Sequence, residues 1–141
     1  MENENFHTPK GYQQEREDEL TESMEDYLEM ICRLAKKEQF ARINFLAKQL
    51  HVKPSSSSKM VANLKMMGYV DFEPYGVVRP TKKGWQVGEF LLHRHVVLDE
   101  FFHLLNHSDH HLKLVEQIEH YIDRETLDNL EELTKKMMKE I

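Results

Sequence analysis

The sequence lacks the features that mark secreted and membrane proteins. Its single cysteine, Cys32, excludes an internal disulfide, and an apolar helical setting favours a buried structural thiol over a reactive one. No stretch approaches the roughly 18 consecutive apolar residues of a membrane-spanning helix. The first twenty residues are acidic and polar, so we expect no signal peptide. These absences predict a cytoplasmic protein that does not bind a membrane.

What the chain does contain is an uneven distribution of charge. Over 141 residues, 40% of them hydrophobic, the net charge of −6 would by itself disfavour nucleic acid. However, residues 1–35 carry 3 basic and 10 acidic side chains, residues 36–95 carry 11 and 4, and residues 96–141 carry 5 and 11. The three net charges are therefore −7, +7 and −6. The basic centre predicts a surface that meets a polyanion.

Hydrophobic periodicity predicts three helices in the first half of the chain. The first has Ser23 as its N-cap, and the second, short helix has Asn44 as its N-cap. The third begins at Pro54, which suits the first helical position, and stops at Gly68.

Two short β-type runs, 69–73 and 77–79, follow and predict a hairpin. Thr81 then caps a long helix that reaches about residue 105. Two more helices are expected, one from His111 to about Ile122 and one after Asp123. The order helix, helix, helix, hairpin is typical of a winged helix-turn-helix.

The exposed side of the third predicted helix carries short hydroxyl and basic side chains. Such groups can donate to phosphates at a helix N-terminus, and Lys59 can reach guanine acceptors in the major groove. Serines are also common in an ordinary first turn, but basic residues before this helix and on the hairpin favour DNA. The candidate DNA-binding residues are Arg42, Lys53, Ser55, Ser56, Ser58, Lys59, Asn63 and Arg79.

Six potential metal ligands lie on three separate predicted helices. Two carboxylates and an imidazole occur at i, i+3 and i+4, and therefore project from one helical face. Each part of this set also has an explanation without a metal. The acids and histidine at i, i+3 and i+4 could form a solvated helix face, the first-helix acids could compensate the helix dipole, and the single histidine could be a core residue. Taken together they can enclose a divalent cation. The candidates are Asp26, Glu29, His95, Glu116, Glu119 and His120. We interpret His107, His110 and His111 as a polar linker with at most a secondary site.

These residues resemble a known family. The stretches 23–29 and 116–120, with Lys53-Pro54-Ser55-Ser56 and Arg94-His95, are similar to the diphtheria-toxin-repressor family, and within it to the manganese transport regulators. The resemblance covers about residues 23–140. It implies that the same six residues bind Mn(II), one or two ions per subunit. It also implies a metal-activated homodimer that binds a palindromic operator and represses metal-uptake genes.

The chain departs from this family in three respects. Ser57 occupies an inward position where relatives carry an aliphatic side chain, which predicts altered packing of the recognition helix. The acidic segment before Thr21 is longer than the family needs. The chain ends after the sixth predicted helix, without the C-terminal β-barrel domain of the iron branch.

The sequence therefore predicts a mainly α protein in three parts. Residues 1–22 form a mobile acidic arm, 23–90 a winged helix-turn-helix DNA-binding domain, and 91–141 a helical metal-binding and dimerisation domain. The apolar surface of the last part exceeds what it can cover alone, so a homodimer is expected.

Other functions stay open at this point. A regulator of this fold could respond mainly to Fe(II) or Zn(II), or sense a small organic ligand. A metalloenzyme is disfavoured because a di-iron centre needs two Glu-x-x-His pairs, and one incomplete version is visible. We expect no enzymatic activity and no small-molecule substrate.

Overall fold

The computed structural model describes residues 20–73 and 76–140. Within these ranges the α-helices are α1 Glu22–Glu38, α2 Ile43–Leu50, α3 Pro54–Met66, α4 Lys82–Asn106, α5 Leu112–Ile118 and α6 Arg124–Lys139, and a 3₁₀ turn spans Glu119–Tyr121. The strands are β1 Ala41–Arg42, β2 Val70–Glu73 and β3 Val77–Pro80. The predicted mainly helical winged helix-turn-helix is confirmed. The predicted arm falls mostly on residues 1–19, which lie outside the described residues.

Helix α1 begins earlier than the sequence suggested. Thr21, in an extended conformation, is the N-cap, and its hydroxyl oxygen accepts a hydrogen bond from the backbone N–H of Met24 at 3.2 Å. The prediction of Ser23 as N-cap was therefore wrong: Ser23 is already helical, because Thr21 offers a hydroxyl group two residues earlier. Leu28, Ile31 and Cys32 on this helix are fully buried.

The start of α2 also differs from the prediction. Helix α2 begins at Ile43, and Arg42 precedes it in an extended conformation, so Asn44 is not the N-cap. The reason is strand β1, in which Ala41 pairs with Val78 and Arg42 pairs with Val77. Pairing with β3 keeps the chain extended up to Arg42. A strand of two residues has no hydrophobic periodicity, so β1 was not predicted.

Helix α3 has the predicted ends. Pro54 occupies its first turn, and Gly68 follows it with a φ of 85°, a left-handed conformation that favours glycine. Ser57 is fully buried, as its inward position implied. Its hydroxyl lies 3.3 Å from the hydroxyl of Tyr27 on α1, so this buried polar atom is paired.

The hairpin and β1 form a three-stranded antiparallel sheet in the order β1-β3-β2. Phe72 of β2 pairs with Val78, which is fully buried. Thr81 caps α4 as predicted, since its hydroxyl accepts from the N–H of Gly84 at 3.1 Å. The same hydroxyl donates to the carbonyl of Gly68 at 2.6 Å, which joins the end of α3 to the start of α4.

Helix α4 links the two halves of the chain, because it packs against α1 on one side and α6 on the other. A Cβ atom on Gly88 would lie 2.2 Å from Sγ of Cys32, so α1 and α4 meet at a glycine. Cys32 is buried as predicted, and burial raises its pKa to about 12, which disfavours the reactive thiolate. Helix α4 runs unbroken through residue 90, and the predicted boundary there stays a prediction.

The helix predicted from His111 to Ile122 is divided in two. Helix α5 ends at Ile118 and a 3₁₀ turn spans Glu119–Tyr121, in which Glu119 is 1% exposed. Helix α6 follows Asp123 as predicted, and the Asp123 carboxylate caps it by accepting from the N–H of Thr126 at 2.7 Å. Within the described ranges, no helix combines the length and apolar character needed to cross a membrane.

Candidate metal centre and nucleic-acid interface

Five of the six predicted metal ligands come together between α1, α4 and the 3₁₀ turn. Ligand atoms of Asp26, Glu119 and His120 lie within 4.8 Å of one another. The same holds for Glu29, His95 and Glu119. Glu119 is common to both groups, so its carboxylate lies at the centre of the cluster. Residues 26, 95 and 119 are far apart in sequence, and the packing of α4 against both α1 and the 3₁₀ turn brings them together.

The first group depends on the two ring nitrogens of His120. Nε2 lies 3.1 Å from Oδ1 of Asp26, and Nδ1 lies 2.8 Å from Oε1 of Glu25. The His120 side chain is 5% exposed, whereas that of Asp26 is 49% exposed. The imidazole is therefore fixed from both sides, and the carboxylate beside Nε2 is open to solvent.

The second group is arranged around His95 on α4. Its Nδ1 lies 3.0 Å from Oε2 of Glu119 and 3.9 Å from Oε2 of Glu29. The carboxylate of Glu29 also accepts a hydrogen bond from Nη2 of Arg33 at 3.0 Å, one turn along α1. Two acidic side chains and an imidazole thus face one another with little access to water.

The electrostatics of the cluster reflect crowded negative charge. Burial, together with the charge of Glu119, raises the pKa of Glu29 from 4.5 to about 7. The hydrogen bond with Glu119 raises the pKa of His95. Burial by itself would lower the pKa of His120, but the hydrogen bonds with Asp26 and Glu25 outweigh it and raise that pKa to about 10. The cluster therefore stabilises bound positive charge.

The donor set fits a divalent metal ion. Two carboxylate charges about 5 Å apart repel by roughly 3 kcal/mol at an effective dielectric near 20. Three carboxylates meet two imidazoles here, and a divalent cation removes this repulsion. Carboxylate oxygens and imidazole nitrogens are ordinary ligands for first-row divalent metals.

Glu116 is the predicted ligand that the structure does not bring into either group. It lies exposed on α5, one turn before Glu119. Conversely, sequence reasoning missed Glu25, which contacts both His120 and Arg94. An acidic residue in the first turn of a helix usually compensates the helix dipole, so its sequence position gave no separate signal.

The histidine-rich segment between α4 and α5 forms no comparable site. His107 ends α4 in a left-handed conformation with a φ of 52°. Among the described residues, His107, His110 and His111 belong to neither three-ligand group. His103 instead pairs with Asp109 at 2.7 Å.

The predicted DNA-binding side chains lie on α3 and at the base of the hairpin. The α3 residues and its N-cap form an exposed row of Lys53, Ser55, Ser56, Lys59 and Asn63, and Ser58 is half-buried. Arg42 and Arg79 lie over the ring of Phe40, at 5.2 and 5.6 Å from its centroid. Arg79 also pairs with Glu73. A groove of about 640 Å³ beside them is lined in part by Arg42, Lys48 and Ser58.

Comparison with known proteins shows the family. The model of the iron-dependent repressor N-terminal DNA-binding domain matches residues 19–78. The model of the iron-dependent repressor metal-binding and dimerisation domain matches residues 81–140. The chain belongs to the iron-dependent repressor family, which confirms the resemblance inferred from its sequence.

Individual relatives agree with this placement. The chain is 40% identical over 114 residues to the HTH-type transcriptional regulator MntR of Shouchella clausii (strain KSM-K16), covering 80% of each chain. It is 28% identical to the structure of the hypothetical protein SSo2273 from Sulfolobus solfataricus, with a TM-score of 0.61 over 83% of this chain and 91% of that one. The structure of the manganese regulator SloR superposes with a TM-score of 0.68 at 22% identity, over 79% of this chain, which spans 53% of that one. At this identity, the last match supports the fold alone.

The protein is therefore a transcriptional regulator that binds DNA and a divalent metal and forms a homodimer, and it is not an enzyme. The predicted class is confirmed. The individual metal-binding and DNA-binding residues stay predictions.

Proposed function

We propose that this regulator responds to manganese and represses metal-uptake genes, binding a palindromic operator as a metal-activated homodimer. The observation that carries the proposal is the shared position of Glu119 in two groups of ligands from three structural elements. The donors are oxygen and imidazole nitrogen, without the soft sulfur ligands that select other metals. Affinity alone would favour Zn(II) or Cu(II), so coordination number and geometry must provide selectivity for Mn(II).

The proposed ligands are Asp26, Glu29, His95, Glu116, Glu119 and His120, with one or two Mn(II) ions per subunit. Because Glu119 belongs to both groups, one or two ions would be held beside its carboxylate. Glu116 lies one turn before Glu119, and its exposed side chain must rotate toward the cluster to bind.

The link to DNA runs through α1. When bound, a divalent cation supplies positive charge among carboxylates that otherwise repel one another. Asp26 and Glu29 then hold α1 against α4 and the 3₁₀ turn. Helix α1 contacts α3 directly, through Tyr27 and Ser57 among others. The position of the recognition helix relative to the dimerisation half is thereby fixed.

A fixed position matters because a dimer presents two recognition helices. To enter successive major grooves they must be about 34 Å apart. We propose that Ser55, Ser56, Ser58, Lys59 and Asn63 on α3, with Lys53, Arg42 and Arg79, contact the DNA. Lys and Ser side chains suit contacts with phosphates more than bidentate contacts with bases. Most of these residues are therefore expected to position the protein on the DNA rather than to read its sequence. Metal and DNA affinities must then be coupled reciprocally.

The test begins with an operator selected from random duplex DNA in the presence of Mn(II). Its affinity is measured by fluorescence anisotropy with Mn(II), Fe(II), Zn(II) and chelator at one ionic strength. We expect tight binding with Mn(II) and weak binding with chelator, and Glu119→Gln should remove the difference. Equal affinity with Mn(II) and chelator would contradict a metal-activated regulator. Activation by Fe(II) or Zn(II) at lower free concentration than Mn(II) would favour the alternative metals.

A further inference from the structure

Glu25 occupies a position between three elements of the fold. It lies on α1, and its side chain is 19% exposed. Its Oε1 lies 2.8 Å from Nδ1 of His120 on the 3₁₀ turn and 3.2 Å from Nη2 of Arg94 on α4. One carboxylate oxygen therefore joins the first helix of the DNA-binding half to two elements of the metal-binding half.

The contact with His120 determines which ring nitrogen can bind an ion. Nδ1 is directed at Glu25, and Nε2 is directed at Asp26. A histidine that binds metal through one nitrogen usually donates its other N–H to a carboxylate or carbonyl, which fixes the tautomer and the ring orientation. Glu25 stands in that relation to His120.

The contact with Arg94 keeps Glu25 in place. Arg94 is 2% exposed, and its guanidinium group lies 5.5 Å from the ring centroid of Phe90. Its Nε has no hydrogen-bond partner within the described part of the chain. A buried guanidinium requires an anionic partner, and Glu25 is the carboxylate with which Arg94 pairs at Nη2.

We propose that Glu25 is a positioning residue of the metal centre: anchored by Arg94, it holds Nδ1–H of His120 so that Nε2 is presented to the ion beside Asp26. The inference rests on the proposed metal site, and it assigns a role to a residue outside the six proposed ligands. It also identifies a contact between α1 and the metal-binding half that does not pass through the ion.

The test compares Glu25→Gln with Glu22→Gln, which removes the same charge from the same first turn of α1 at an exposed position. Mn(II) affinity is measured by calorimetry on the full-length protein. Glu25→Gln keeps a neutral, weaker oxygen acceptor, and mutation of a carboxylate that orients a metal ligand costs roughly 10- to 100-fold in affinity. We expect that loss for Glu25→Gln, and wild-type affinity for Glu22→Gln. Absence of Mn(II) binding by the wild type would overturn the proposed function. Wild-type affinity in Glu25→Gln would overturn only the role of Glu25.

A second variant separates positioning from simple neutralisation of Arg94. Glu25→Gln leaves the buried Arg94 without its anionic partner and should lower the denaturant concentration at the unfolding midpoint. Glu25→Gln/Arg94→Met removes the buried positive charge as well, so part of that decrease should be reversed. The positioning role predicts that Mn(II) affinity stays 10- to 100-fold weaker. Recovery of wild-type affinity would mean that Glu25 acts only through Arg94, and would overturn the proposal.

A spectroscopic measurement observes the hydrogen bond itself. In ¹⁵N-histidine-labelled protein loaded with Zn(II), the Nδ1–H proton of His120 should give a downfield resonance, assigned by its loss in His120→Asn. In Glu25→Gln this resonance should move upfield or disappear by exchange with water. An unchanged resonance would contradict the hydrogen bond on which the proposal depends.

Discussion

Glu119 and His95 lie 3.0 Å apart, from Oε2 to Nδ1, although 24 residues separate them in the chain. The pair connects the 3₁₀ turn to α4, and Glu119 is also within ligand distance of Asp26 and Glu29 on α1. A buried carboxylate at the meeting point of three elements costs stability unless positive charge accompanies it. The metal response is therefore expected to depend on Glu119 more than on any peripheral acid.

Glu119→Gln should weaken Mn(II) binding by more than roughly 100-fold. This loss exceeds the one expected when a residue that only hydrogen-bonds to a metal ligand is changed. The amide keeps the size of the side chain and removes the charge shared by both groups. Calorimetry measures the loss. Glu132→Gln on α6, an exposed site outside both groups, is the matched control and should bind as the wild type does.

Glu116→Gln should weaken Mn(II) binding by less than Glu119→Gln does. Glu116 is exposed and must lose side-chain freedom to reach the ion, so its net contribution is smaller. The same calorimetric titration ranks the two variants. Wild-type affinity in Glu116→Gln would remove this residue from the ligand set and leave the other five.

Mn(II) affinity should rise with pH. The pKa of His120 is raised to about 10 and that of Glu29 to about 7, so both groups hold protons that an ion must displace. Between pH 7.5 and 8.5 the proton displaced from His120 alone gives about a tenfold increase per pH unit. Any proton displaced from His95, whose pKa is also raised, adds to this slope, and Glu29 adds to it below pH 7. Titrations in buffers of different ionisation enthalpy count the released protons. Affinity that is constant from pH 6 to 8.5 would contradict these shifts.

Lys59→Ala should weaken operator binding and reduce the slope of log affinity against log salt by about one, because one phosphate contact is lost. Lys136→Ala on α6 removes the same charge far along the chain and should leave that slope unchanged. Mn(II) affinity of the free protein should be the same in both variants. If Lys59→Ala loses metal binding as well, α3 is not simply the DNA-contacting face.

Gly88→Ala should destabilise the metal-free protein by about 1–3 kcal/mol, because its Cβ would lie 2.2 Å from Sγ of Cys32. Denaturant unfolding at a fixed protein concentration measures the change. Cys32→Ala should relieve most of it in the double variant, although Cβ of Cys32 would remain 3.1 Å away. Gln86→Ala, at an exposed site on α4, is the control. Equal destabilisation with and without Cys32→Ala would show that another contact is responsible.

Periodic patterns in the sequence predicted most of the fold. The ends of α3 at Pro54 and Gly68 and the caps at Thr81 and Asp123 are local features, each specified by one or two residues. Strand β1 was missed because its two residues gain stability only by pairing with β3, which is distant in sequence. Ser23 was predicted as the N-cap of α1 in place of Thr21. Both residues offer a hydroxyl group, and only the folded backbone distinguishes them.

The metal cluster could be predicted only in part for a related reason. The spacing of Glu119 and His120, and of Asp26 and Glu29, placed these residues in pairs. The break from α5 into a 3₁₀ turn, and the exposure of Glu116 beside the buried Glu119, have no evident signal in the sequence. Glu25 was not predicted from the sequence. Its role depends on Arg94 and His120, which lie 69 and 95 residues away in the chain.

The most direct measurement is anomalous diffraction at the manganese edge from crystals grown with Mn(II). We predict one or two peaks per subunit within bonding distance of the Glu119 carboxylate, with Nε2 of His120 and the imidazole of His95 among the ligands. A map without a peak at this cluster, from crystals of protein that binds Mn(II) in solution, would contradict the account.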